Sequence, residues 1–187
     1  MTVYFTASIV GKKQYEDNYR KIVRLLTKNG CRVISDHILK SSSQKIHLET
    51  KEERLAFHDQ LEKWINSADC VVAETSFPSI SVGYEISLAL NRGKPVLILF
   101  TYDSLPPSLL IHHRDDRLIC EKYADETLSS IIEDFLNYAQ DKEDSRFIFY
   151  LSSEMAAYLD KISRKKKVPK SVYLRRLIEE KMKKISR

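Results

Sequence analysis

The chain has 187 residues, 43% hydrophobic and 30% charged, with a net charge of +5; this is the balance of a globular protein with room for one full domain and about 40–50 residues more. Its apolar run PVLILF is far short of the ~20 residues of a membrane-spanning helix, and the start MTVYFTASIVGKK lacks the basic residues of a signal peptide, so neither a membrane nor an export route is expected. Cys31, Cys70 and Cys120 each fall in an expected strand with no CxxC pair, which implies reduced thiols in a cytoplasmic setting.

VYFTA (3–7) reads as the first strand. QYEDNYRKIVRLLTKN (14–29) follows, with Tyr19, Ile22, Val23 and Leu26 at helical spacing and Gly30 as the stop. CRVIS (31–35) is the second strand, and the polar stretch 40–50 reads as a loop. A helix is expected over about 51–67, with Leu55, Leu61, Trp64 and Ile65 as its apolar residues. Strands at 69–74, 95–100 and 117–122 alternate with helices at 82–92 and 125–139. Strands interleaved with helices call for a parallel sheet covered on both faces: a small, doubly wound, five-stranded α/β domain of flavodoxin or Rossmann type over residues 1–140. Ligands of such folds bind beyond the carboxyl ends of the strands, at the switch point. That directs attention to the loops after the first and third strands, ASIVGKK and TSFPSISVGYE.

A charged joint, DKEDS (141–145), leads to a different pattern over 146–187. RFIFYL alternates like a strand, SSEMAAYLDKISRKKK opens with a serine cap, and VPKSVYLRRLIEEKMKK is a second amphipathic helix capped by Ser171. One strand and two helices are too little to bury a core alone, so this unit calls for a partner copy. Residues 141–187 hold 14 Lys/Arg against 7 Asp/Glu, a charge of +7, whereas residues 1–140 carry −2. The basic character therefore belongs to the tail, as in a nucleic-acid-binding appendage.

His37, His47, His58, His112 and His113 form no HExxH pattern, so no metal site is expected. With four glycines and no GxGxxG, a dinucleotide loop is excluded and no cofactor is expected. Gly11 and Gly83 both follow strands, among Ser8, Ser79 and Ser81. On pattern alone these serines read first as helix caps and second as anion ligands at helix N-termini. Glu85 reads as a residue of the first helical turn. With Ser81 as N-cap a capping box needs an acid at 84, which is Tyr, so capping does not explain Glu85.

The stretches VYFTASIVG, SDH, FHDQLEKW and ADCVVAETSFPSISVGYE together resemble the nucleoside 2-deoxyribosyltransferase superfamily over about residues 2–138, closest to its 2'-deoxynucleoside 5'-phosphate N-hydrolase branch. The resemblance implies an enzyme that cleaves or exchanges the N-glycosidic bond of a (deoxy)nucleoside 5'-monophosphate. By it, Glu85 corresponds to the nucleophile that forms a glycosyl-enzyme, as in retaining glycosidases, and Tyr4 to the tyrosine that orients it. Ser8, Ser79 and Ser108 match serines that hold the 5'-phosphate, Ser108 from a neighbouring subunit of a homodimer or tetramer, while Ile9, His37 and Gly83 match other pocket positions. Gly11 belongs to the same loop. Two positions depart from the pattern. Leu61 stands where the family has a catalytic aspartate, with Asp59 as the nearby acid, and Val10 replaces a phosphate-binding arginine, leaving Lys12 or Lys13 to supply charge. A nucleotide-sensing regulator that binds without turnover is therefore the alternative.

Residues 146–184 resemble a ribbon-helix-helix domain, whose paired strands enter the DNA major groove. By that resemblance Phe147, Phe149 and Leu151 face inward, and Arg146, Ile148 and Tyr150 are the DNA-contact candidates. Of these only Arg146 is a good base reader, so DNA binding and pure dimerisation both stand as roles for the tail.

Overall fold

The computed structural model describes residues 1–42, 50–101, 115–140 and 151–166, with five further residues between 173 and 181. The chain forms two compact units, Met1–Ser145 and Arg146–Arg187. His47, Ser108, His112, His113, Arg146, Phe147, Ile148, Phe149, Tyr150 and Ser171 lie outside the described residues.

The first unit holds β1 (Thr2–Ala7), α1 (Lys12–Lys28), β2 (Arg32–Ile34), α2 (Asp36–Leu39), α3 (Lys51–Ser67), β3 (Cys70–Glu74), α4 (Ile80–Asn91), β4 (Val96–Thr101), β5 (Leu118–Tyr123) and α5 (Leu128–Gln140). All pairings are parallel and the strand order is β2-β1-β3-β4-β5. The inner strands β1, β3 and β4 are buried almost throughout, which is why their sequences read as unbroken apolar runs rather than alternations. Alternate residues supply two cores. Val3, Phe5, Val72 and Leu97 pack with Tyr19, Ile22 and Leu26 of α1 and with Ile132 and Phe135 of α5. Tyr4, Val71, Ala73 and Ile98 pack on the other face with Leu61 and Ile65 of α3 and with Val82 and Ile86 of α4. Two helices per face give the doubly wound α/β fold expected of this sequence.

Local chemistry sets the element ends. α1 stops at Gly30, whose φ of +76° suits glycine. α3 opens with a full capping box: Thr50 Oγ1 accepts from the Glu53 N–H, and the Glu53 carboxylate accepts from the Thr50 N–H at 2.7 Å. Several boundaries differ from the expected ones by one to three residues. Cys31 lies just before β2 rather than in it, and Ser35 precedes the four-residue α2. α5 begins three residues later than 125, after a turn in which Thr127 Oγ1 accepts from the Ala124 N–H (3.0 Å). α4 begins at Ile80 with Ser79 as its N-cap, not Ser81: the Ser79 Oγ accepts from the Val82 N–H (3.4 Å).

In the second unit α6 spans Ser153–Lys166, and the Ser152 Oγ accepts from the Met155 N–H (3.3 Å) at its start. Leu159 and Tyr173 are buried, while Met155, Tyr158 and Ile178 are exposed. Among the described residues no helix is long and apolar enough to cross a membrane.

Candidate active site

Connections leave β1 toward β2 on one side and return to β3 on the other, so the switch point lies between the carboxyl ends of β1 and β3. A cavity of about 640 Å³ opens there. Ser8, Ile9 and Val10 line it from the β1–α1 loop, and Ser79, Ser81 and Glu85 from the start of α4. His37 of α2 and Phe57 and Trp64 of α3 form an aromatic wall.

Glu85 sits in the second turn of α4, not the first, because the N-cap lies at Ser79. At that depth the helix dipole has faded, and a different partner holds the side chain. Glu85 is 6% exposed, and the Tyr4 phenol donates to its Oε2 at 3.0 Å across the interior. Burial raises the Glu85 pKa above the ordinary carboxylate value, while hydroxyls of Thr6 and Tyr4 act against that rise. Burial, then the Glu85 charge, pushes Tyr4 far up, so it remains a phenol donor. Thr6 and Tyr4 share one face of β1 because strand residues two apart do.

His37, 8% exposed, is stacked between Tyr4 (centroids 4.9 Å apart, 10° between planes) and Trp64 (4.9 Å, 27°). Burial, opposed by neighbouring Asp36, brings its imidazole down to about 4, so the ring is neutral near pH 7. Neither ring nitrogen has a hydrogen-bond partner among the described residues.

The two loops at the switch point are locked together. Ser8 Oγ accepts from the Gly11 N–H (3.1 Å), and the Tyr19 phenol donates to the Ser8 carbonyl (3.2 Å). A Cβ on Gly11 would overlap Phe77 of the β3–α4 loop. Gly11 thus serves the site by close packing and does not itself line the cavity. Gly83 does not line it either, although it lies within α4 between two residues that bear on it, Val82 and Glu85.

The departures at 61 and 10 take definite form. Leu61 is 4% exposed and packs in the core beside Tyr4 and Ile86. Asp59 is exposed and is not among the cavity residues, as the angle of about 200° between positions two apart on a helix requires. Glu62 pairs with Arg92 at 2.9 Å. No described acid of α3 therefore meets Glu85. Val10 is 56% exposed at the rim. Lys12 does not replace the missing arginine, because its Nζ donates to the carbonyls of Leu39 (2.7 Å) and Ser41 (2.8 Å), tying α1 to the end of α2. Lys13 is exposed and does not line the cavity.

Arg54, one turn before Phe57 on α3, does line it. The sequence carried no motif to single it out; its distance of three residues from an apolar cavity residue was the available signal. A second buried acid is singled out by no pattern of the sequence. Glu74, at the end of β3 on the opposite face of the sheet, is fully buried. Its Oε1 accepts from the Ser76 hydroxyl, the Ser76 N–H (3.3 Å) and the Tyr123 phenol (3.2 Å). Asn18 Nδ2 donates to Tyr123 (2.8 Å), and the Thr101 N–H donates to Ser76 Oγ (2.9 Å). Burial outweighs these donors and raises the Glu74 pKa to about 7. Among the described residues no group of three or more His, Cys, Asp or Glu converges as metal ligands would.

Fold and cavity place the protein among doubly wound α/β proteins with a cavity at the switch point. More specifically, residues 3–145 match the nucleoside 2-deoxyribosyltransferase family, and the chain belongs to it. It is 36% identical over 99 residues to the rat 5-hydroxymethyl-dUMP N-hydrolase, an alignment covering 53% of this chain and 60% of that protein. It is 33% identical over 138 residues to a Methanosarcina mazei protein provisionally named 2'-deoxynucleoside 5'-phosphate N-hydrolase 1, covering 72% of this chain and 83% of that one. The solved Clostridium botulinum CMP N-glycosidase shares the fold, with a TM-score of 0.51, 17% identity, and coverage of 71% of this chain and 99% of that one.

Proposed function

We propose that the protein cleaves the N-glycosidic bond of a (deoxy)nucleoside 5'-monophosphate with Glu85 as nucleophile. The observation that carries this reading is the buried Tyr4–Glu85 pair, a carboxylate held at 3.0 Å by a phenol beside a cavity at the switch point. The N-hydrolase names of the relatives support the same class of chemistry. In the first step a Glu85 oxygen bonds to the anomeric carbon as the carbon–nitrogen bond breaks, and that electron pair leaves on the base. In the second, water bonds to the anomeric carbon, the ester to Glu85 breaks, and the water's proton is released; a second base in place of water gives transfer. Two inversions give net retention. Tyr4 fixes one carboxylate oxygen, and Ser8 and Ser79 receive the 5'-phosphate at the α4 N-terminus. The family resemblance assigns Ser108 of a neighbouring subunit to the same phosphate, so the proposal includes a homo-oligomer. With Leu61 in the acid's place the leaving base takes its proton from solvent, which predicts slow turnover, since general acid help is typically worth 10²–10⁴-fold.

The test is release of free base from a panel of deoxynucleoside and nucleoside monophosphates, followed by chromatography. Glu85→Gln is expected to lower the rate by roughly a thousandfold or more. Equal release by wild type and variant would remove Glu85 from the mechanism.

The buried Leu61 favours a second reading, a nucleotide-sensing regulator whose basic tail binds DNA. It is checked by whether the full chain, but not residues 1–145, shifts duplex DNA in a salt-sensitive way. DNA indifference at low salt leaves dimerisation as the tail's role.

A further inference from the structure

We propose that Arg54 selects the base, favouring 6-oxopurine nucleotides (guanine or hypoxanthine) over adenine nucleotides. The inference rests on the nucleotide reading of the cavity but concerns a part of it that the Tyr4–Glu85 pair leaves unassigned. Ser8 and Ser79 stand on the side of the β1–α1 loop and the α4 N-terminus. A phosphate there, with the anomeric carbon at Glu85, sends the base toward the wall made by α2 and α3. That wall presents the rings of His37, Phe57 and Trp64, with centroids 4.9–6.3 Å apart, and Arg54 lies on the same helical face as Phe57, three residues before it.

Two other described basic side chains near this wall have protein partners. Lys12 donates to two carbonyls, and Lys40 pairs with Asp36 at 2.6 Å. Arg54 makes no ion pair with any described residue. A guanidinium is a permanent cation with five donors in a fixed fork and no acceptor. Its complement on a base is a pair of adjacent acceptors, which guanine and hypoxanthine offer as O6 and N7. Adenine places an amino donor beside N7, so the fork would meet a donor.

Trp64 is the only tryptophan in the chain and lines this wall, so its fluorescence reports occupancy. Titrations with dGMP, dIMP and dAMP are made on the full chain carrying Glu85→Gln, with and without Arg54→Met. The 6-oxopurine nucleotides are expected to bind roughly thirtyfold tighter than dAMP, the middle of the range for one bidentate contact. Arg54→Met is expected to bring that ratio near one by weakening dGMP and dIMP alone, and Arg54→Lys to restore only part of it, since an ammonium cannot fork. A ratio unchanged in Arg54→Met, equal binding of all three by the parent, or no fluorescence response to any nucleotide overturns the assignment. Base release by the wild type decides the catalytic reading separately. A preference abolished by Arg54→Met in a protein that releases no base sustains Arg54 and rejects catalysis, whereas base release with no role for Arg54 does the reverse.

Discussion

Burial and the Tyr4 hydrogen bond act on Glu85 with opposite sign, and this sets how the proposed chemistry depends on pH. In the proposed mechanism the nucleophile is the carboxylate, so the rate is expected to fall as pH drops through the Glu85 pKa, which burial holds above the ordinary 4.5. The Tyr4 bond lowers that pKa, so Tyr4→Phe is expected to shift the acid limb of the pH–rate profile upward. A profile that keeps its limb while losing height would assign Tyr4 to transition-state contact instead. Much of the pair was legible in sequence: Glu85 resisted explanation as a cap, and the family likeness joined it to Tyr4. The register of the cap was not legible, because Ser79 and Ser81 are equally good cap residues and only the chain's approach from Phe77 and Pro78 selects the first. The guanidinium of Arg54, which pairs with no acid among the described residues, belongs to no local pattern at all.

At the level of elements, the inner strands announced themselves because burial on both faces demands continuous apolar residues. α2 did not, since a four-residue helix is too short for periodicity to register. The consequence reaches the site, because Lys12 looks like an anion ligand until α2 supplies the carbonyls that occupy it. Gly11 was legible as a special position but for a different reason. Its φ of −67° is ordinary, and what the position requires is space against Phe77. Gly11→Ala is expected to cost on the order of 1–3 kcal/mol by overpacking and to spread the two serine-bearing loops. The denaturant midpoint and the Km for a 5'-monophosphate should therefore both change. An unchanged Km at reduced stability would show that the loops reseat without loss of the phosphate site.

For the whole molecule, the two buried acids end up on opposite faces of one sheet, and Glu85 is the one that lines the cavity. Glu74 is bound into the fold as a proton-holding group, so the folded domain keeps a proton that the unfolded chain gives up. Its pKa rises from 4.5 to about 7 on folding. The stability it supports is complete below about pH 4.5 and declines as pH rises to about 7, by about 3 kcal/mol. Most acid-sensitive proteins behave in the opposite way. Glu74→Gln, which keeps the shape and removes the titration, is expected to flatten thermal stability between pH 5 and 8, whereas parallel melting curves would mean that Ser76 and Tyr123 hold the charged form without penalty. Unfolding of this domain is thus coupled to proton release by Glu74 in the neutral range, so small alkaline shifts loosen its core from the inside.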